Sequence, residues 1–301
     1  LQSLLNPIDY KASSFDSPLF SKILSFTGSA FTQSILAILL IFFQAILINR
    51  IAIKNKLDHE STLIPGMLYA LLCSILPEFL VLSPALIGIT FIIIAFHNAM
   101  RLYNVPEPAI YNFNIGFYLA LGGAIYSPYF IFIFFGLLAQ FTLRSYNFKE
   151  VMQQVLGGLS LLVIFAIYHY WNGNFEYKID QYFLFNINFN SFDNVSNTHL
   201  FSIGFAIMLT LISYLNFGYM SNKKILQVQK KINLTYLFLA IGILGMVLFF
   251  NDFHFIYALL VPLSLFISFI LLKSKNPILP ELVHLGLLFI LIVLQYKFLI
   301  G

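Results

Sequence analysis

Few residues in this 301-residue chain can do chemistry, and most of them stand in or beside apolar runs. Glu78 lies in a tight Leu76-Pro77-Glu78-Phe79 turn, and Asp252 and His254 share the turn Asn251-Asp252-Phe253-His254. Groups of these types, held in short turns, can give or take a proton at a substrate. Asp9 and Asp16 are the carboxylates of the first thirty residues, and with Glu78 they make the catalytic candidates. Glu176, Asp180 and Asp193 follow in a polar stretch. His97 and Arg101 are four apart, which puts them on one helix face. Asn112, Asn114, Gln140 and Arg144 lie close to the same level of neighbouring runs. Such a cluster either holds an anionic substrate, with Arg101, Asn114 and Arg144 as the binding candidates, or ties helices together.

Other chemistries find no support in the spacing. The six histidines, His59, His97, His169, His199, His254 and His284, never fall within four residues of one another, so no metal site is predicted. Cys73 is the one cysteine and reads as a small buried apolar residue. The sequence contains no phosphate-binding Walker loop, no GxGxxG and no serine nucleophile elbow, and predicts no cofactor. The 35 Phe and 17 Tyr come without a basic groove, which argues against nucleic acid.

The elements that must position these groups are apolar helices. The chain is 60% hydrophobic and 9% charged, against roughly 25% charged residues in an average soluble domain. Its expected solvent is the lipid bilayer, and its expected fold an all-α integral membrane protein, a polytopic bundle of about ten transmembrane helices. A spanning helix needs about 20 mostly apolar residues. Ten runs qualify: 30–49, 63–80, 84–103, 109–126, 128–145, 151–171, 200–219, 234–250, 254–273 and 281–299. The weakest is 63–80, with Pro65 near its start and Pro77 near its end. Ser83-Pro84, Pro106-Glu107-Pro108, Ser127-Pro128 and Asn276-Pro277 punctuate the turns. The glycine pairs Gly122-Gly123 and Gly157-Gly158 read as points of close helix packing.

Lysine and arginine give the orientation. Alternate connections hold Arg50, Lys54 and Lys56; Arg101; Arg144 and Lys149; Lys223, Lys224, Lys230 and Lys231; and Lys273 and Lys275, twelve of the 16 basic residues. That side is expected to be cytoplasmic. The start at Leu1 then lies outside, and the simplest repair is an eleventh helix upstream of it. Residues 1–29 would be an external loop in which 18–26 form a short amphipathic helix on the membrane. Residues 172–199 are a second external loop. Residues 220–233 are a basic amphipathic stretch expected to lie on anionic lipid or to dock a partner.

The stretch Leu57–Gly158 resembles an uncharacterised family of polytopic inner-membrane proteins of Bacteroidota. The features that carry the resemblance are Leu76-Pro77-Glu78, Ala95-Phe-His-Asn-Ala-Met-Arg101-Leu-Tyr103, the run from Tyr111 through Gly122-Gly123 to Pro128, and Arg144–Glu150 before Gly157-Gly158. The resemblance implies a first helix behind a short cytoplasmic segment. It also implies a working neighbour that makes polyprenyl-phosphate sugar. The run from Asn114 to Pro128 is similar to polytopic glycosyltransferases that use lipid-phosphate sugars. That similarity implies acids in the first external loop, where Asp9 and Asp16 would stand, although no adjacent acidic pair is present. Three functions are therefore expected in competition. One is a non-catalytic membrane subunit or partner in cell-envelope or lipid-linked sugar metabolism, whose partner would be a membrane-associated glycosyltransferase or other envelope protein. The second is a glycosyltransferase with Asp9 or Asp16 as base and Arg101 or Arg144 on a phosphate. The third is a transporter.

Overall fold

A computed structural model describes residues 10, 17–57, 62–75, 77–145, 147–171, 225–249, 252–272 and 278–300, with isolated positions between 204 and 215. The described chain is all-helical, with ten α-helices and no strand. We number them α1 (Pro18–Thr27), α2 (Ala30–Lys54), α3 (Ile64–Cys73), α4 (Pro84–Met100), α5 (Ala109–Ile125), α6 (Phe132–Leu143), α7 (Phe148–Trp171), α8 (Leu226–Leu248), α9 (Tyr257–Leu272) and α10 (Ile278–Ile300).

Ser-Pro pairs begin helices here. Ser17 and Ser83 each accept a hydrogen bond from a backbone N–H of the first turn, and Pro18 and Pro84 fill the first helical position, where no N–H is needed. Ser127-Pro128 likewise opens a 3₁₀ turn, Ser127–Ile131, that leads into α6. The expected span 63–80 is not one helix. It ends at Cys73, and a separate 3₁₀ turn, Pro77–Leu80, follows; Pro77 has no N–H to continue the ladder. Among the described residues four helices are long and apolar enough to cross a membrane: Ala30–Lys54, Phe148–Tyr168, Leu226–Leu248 and Phe253–Leu272, the last counted with its leading 3₁₀ turn. The expected spans 84–103, 109–126 and 128–145 are shorter apolar helices, while the expected loop 172–199 and most of the expected span 200–219 lie outside the described residues.

α9 is the centre. Every residue from Tyr257 to Phe269 is buried, with α3 and α8 packed on it and α2, α4 and α10 around them. Beside it Phe238 of α8 meets Phe96, Phe132 and Phe135, with ring centroids 5.0, 4.8 and 5.2 Å apart. On the other flank α5 lies between α4 and α7. A Cβ on Gly116 would run into the Gln154 carbonyl, and one on Gly157 into that of Phe113, so α5 and α7 touch backbone to backbone. Gly157 thus packs as expected, whereas Gly158 has room for a methyl group.

The core is apolar with a few buried amides, and the outside is largely apolar as well. Gln44 and Asn112 are fully buried and Gln154 is 3% exposed, while Phe134 is 62% and Leu156 58% exposed. On α7, Glu150 and Gln154 face inward, and Met152, Val155, Leu159, Val163 and Ile167 face outward.

Candidate functional site

The ends of several helices bring basic side chains together at one end of the bundle. α2 ends at Lys54, α4 ends before Arg101, and α8 begins near Lys231. Lys54, Asn55, His97, Arg101, Tyr103 and Lys231 line a cavity of about 330 Å³. Three connections far apart in sequence therefore share one end, as their lysines and arginines predicted.

Each cation is held differently. Lys231 is 6% exposed and donates to Asn55 Oδ1 at 2.9 Å. That bond uses one of the three donors of an ammonium group. The Arg101 guanidinium sits over the Tyr111 ring, 4.9 Å from its centroid, an arrangement that suits a planar cation on a π face. Lys54 is exposed at the rim. His97 Nδ1 is buried with no hydrogen-bond partner among the described residues. Neither Lys54 nor Arg101 makes an ion pair there, and no carboxylate lines the cavity among the described residues.

A second hollow of about 450 Å³ adjoins the first, sharing Tyr103 and Val105 with it, and adds Arg144 and Lys230. Lys230 stands over the Tyr103 ring at 5.4 Å. Arg144, a predicted substrate contact, is instead occupied within the protein. Its Nε meets Glu150 Oε2 at 3.2 Å, and its Nη1 donates to the carbonyls of Leu102 and Val105 at 3.1 and 2.6 Å. It pins the loop after α4, in which Asn104 takes a left-handed backbone with φ 56°, a conformation asparagine tolerates better than most residues. Arg144 therefore positions Tyr103. Asn114 is half-buried and lines neither hollow.

The stretch 220–233 is not a separate surface helix where it is described. From Leu226 it continues without a break into α8, and Lys231 and Ile232 are buried in the bundle. Sequence reading placed Lys231 in a stretch expected to lie on anionic lipid or to dock a partner. The polar partner that draws it inward, Asn55, is 176 residues away.

The remaining polar cluster is structural. Gln140 Nε2 donates to Asn112 Oδ1 at 3.0 Å, and Asn112 Nδ2 to Gln153 Oε1 at 3.3 Å, which links α6, α5 and α7. A second network was not foreseen. Gln44 Nε2 donates to Leu86 O and to Thr90 Oγ1, both at 2.8 Å, and its Oε1 accepts from the Tyr69 hydroxyl at 2.7 Å. A glutamine in the middle of the apolar run of α2 was the available signal.

The catalytic candidates divide. Asp9 and Asp16 lie outside the described residues. Glu78 falls in the 3₁₀ turn before α4, whereas Arg101 follows the C-terminus of that helix. The 17 residues of α4 put about 25 Å between those ends, so Glu78 and Arg101 do not form one site. Glu78's end of the bundle also holds Asp252 and His254. Asp252 accepts from the His254 N–H at 3.0 Å, and its Oδ1 is 3.2 Å from His254 Nδ1. The Tyr257 hydroxyl donates to Phe79 O at 2.8 Å, and Phe79 stacks on Phe253, with centroids 4.8 Å apart. The ring of Tyr10 lies 6.1 Å from that of His254. An aspartate on one histidine nitrogen can orient the ring for proton transfer by the other.

Comparison with protein-family models, with curated proteins and with solved structures finds no match to this chain.

Proposed function

We propose that the protein is a multi-pass protein of a bacterial inner membrane that serves as a non-catalytic subunit or partner in cell-envelope, lipid-linked sugar metabolism, with the basic end of its bundle in the cytoplasm. The observation that carries the reading is the apolar exterior: large apolar side chains stand outside on α2, α6, α7, α8 and α10. Apolar surface on that scale needs lipid or another protein to cover it. The basic end supports the orientation, since positive loops stay on the cytoplasmic side, and offers an exposed rim for a soluble partner.

Cysteine labelling tests it. In a Cys73→Ala background, Lys22→Cys on α1 is expected to react with an impermeant maleimide in intact spheroplasts. Glu107→Cys, in the loop after Arg101, is expected to react only after the membrane is opened. Equal labelling of both in intact cells would sink the topology.

The second reading, a glycosyltransferase on lipid-phosphate sugar, is favoured by the Asp252–His254 pair at the opposite end. Complementation of a deletion strain separates the two. Under the subunit reading Asp9→Asn, Asp16→Asn, Glu78→Gln and His254→Gln proteins, present at normal levels, all restore growth. Loss of function by any of them at unchanged abundance favours catalysis.

A further inference from the structure

We propose that the cavity between Lys54, His97, Arg101 and Lys231 binds the phosphate group of a phosphate-bearing ligand that arrives at the basic end of the bundle. The inference goes beyond the membrane-subunit reading and needs only the cavity itself.

Charge is the first argument. Cations from α8, from the end of α2 and from the residue after α4 converge on one volume of about 330 Å³. Like charges that share a volume repel one another, the more so as the surroundings become less like water. The described lining holds no carboxylate to offset that repulsion. A bound anion does.

Lys231 is the second argument. A lysine at the end of a membrane helix ordinarily extends its head outward to water. Lys231 does the reverse: it is buried, fixed by Asn55, and keeps two donors in hand. Arg101 is likewise held in place by Tyr111. Donors fixed before the ligand arrives lose little freedom on binding.

The donor set decides the kind of anion. Two lysines, an arginine, a histidine and the side chains of Tyr103 and Tyr111 line the space. Point charges and forks arriving from several sides suit a tetrahedral anion with three or four acceptor oxygens better than a planar carboxylate, which one arginine fork satisfies. The volume equals that of about ten waters, enough for a phosphate together with part of the group it is esterified to. Two sources share this chemistry: a lipid headgroup entering from the bilayer, and a soluble phosphate or diphosphate.

The test uses the full chain, purified in an uncharged detergent or held in phosphatidylcholine nanodiscs. Thermal unfolding is followed against inorganic phosphate and pyrophosphate, with chloride at matched ionic strength, and against nanodiscs that contain phosphatidic acid. Saturable protection by inorganic phosphate or pyrophosphate supports the proposal with a soluble source. Protection by phosphatidic acid alone supports it with a lipid source. The double variant Lys54→Gln/Arg101→Gln changes exposed groups and relieves repulsion, so it is expected to melt no lower than wild type without ligand. Its apparent affinity is expected to fall about tenfold or more, the scale of a lost charge-assisted hydrogen bond. Lys231→Met is expected to abolish protection; if it fails to fold, the double variant decides. Lys149→Gln, outside the cavity, is expected to behave as wild type. No protection by any phosphate beyond chloride, or undiminished protection in the double variant, would overturn the proposal. The spheroplast labelling uses other residues, so the site and the membrane topology can fail separately.

Discussion

Gln44 shows what a single polar side chain does at the centre of an apolar helix. All its contacts are to other helices: Tyr69 on α3, Leu86 and Thr90 on α4. Interhelical hydrogen bonds of this kind in lipid are worth about 0.6 kcal/mol on average and about 1.7 at most. Gln44→Leu is therefore expected to cost about 1–2 kcal/mol for its three bonds, and Tyr69→Phe about 0.5–1, read as loss of thermal midpoint in detergent; unchanged midpoints would remove the network's role. Arg144 acts on a larger piece of backbone. Arg144→Ala leaves Glu150, whose side chain is 10% exposed, without its partner. Stranding a buried charge costs about 3–5 kcal/mol, and the partial exposure of Arg144 reduces that to about 2. Glu150→Gln in the same chain is expected to recover part of the loss, which double-mutant melting would check. The two cases differ in how far the sequence could reveal them. Arg144 and Glu150 are six apart and visible together. Gln44 finds its partners 25 to 46 residues away, a distance that only the fold brings to zero.

At the level of elements, close approach and helix breaking decide the layout. α5 and α7 meet at Gly116 and Gly157, where a side chain would collide with the facing backbone. Gly116→Leu and Gly157→Val are each expected to lower the yield of monodisperse protein on size exclusion by severalfold, while Gly158→Ala is tolerated. Equal tolerance of all three would mean that the pair of helices can be separated without loss. Hydropathy and glycine pairs were enough to place most of these helices. Their ends were less legible. Pro77 splits one expected span into a short helix and a 3₁₀ turn. The lysine-rich stretch before α8 was read as an independent surface helix because its charges suggested one. The winding of Lys231 toward Asn55 depends on α2, which local pattern does not contain.

For the whole molecule, the question is what faces outward. On the membrane reading, spin labels at Leu156 and Val163, both exposed on α7, are expected to collide with dissolved oxygen and to be shielded from a water-soluble nickel relaxant in reconstituted bilayers. The opposite ranking would place α7 in water or under a partner. The basic end was legible as a set of charges on alternate connections. It was not legible as a cavity, since that requires Lys54, Arg101 and Lys231 to line one hollow from three distant parts of the chain.

The central position of α9 also bears on how the protein is made. Helices emerge from the ribosome in chain order, yet the helix enclosed by the others comes next to last among those described. On the membrane reading, the earlier helices must hold a slot as wide as a helix until it arrives, and lipid or an insertion chaperone has to occupy that slot meanwhile. A ribosome stalled between α8 and α9 would expose the flanks of α3 and α8 that α9 later covers, and membrane proteases are expected to clear such a nascent chain faster than one stalled after α9.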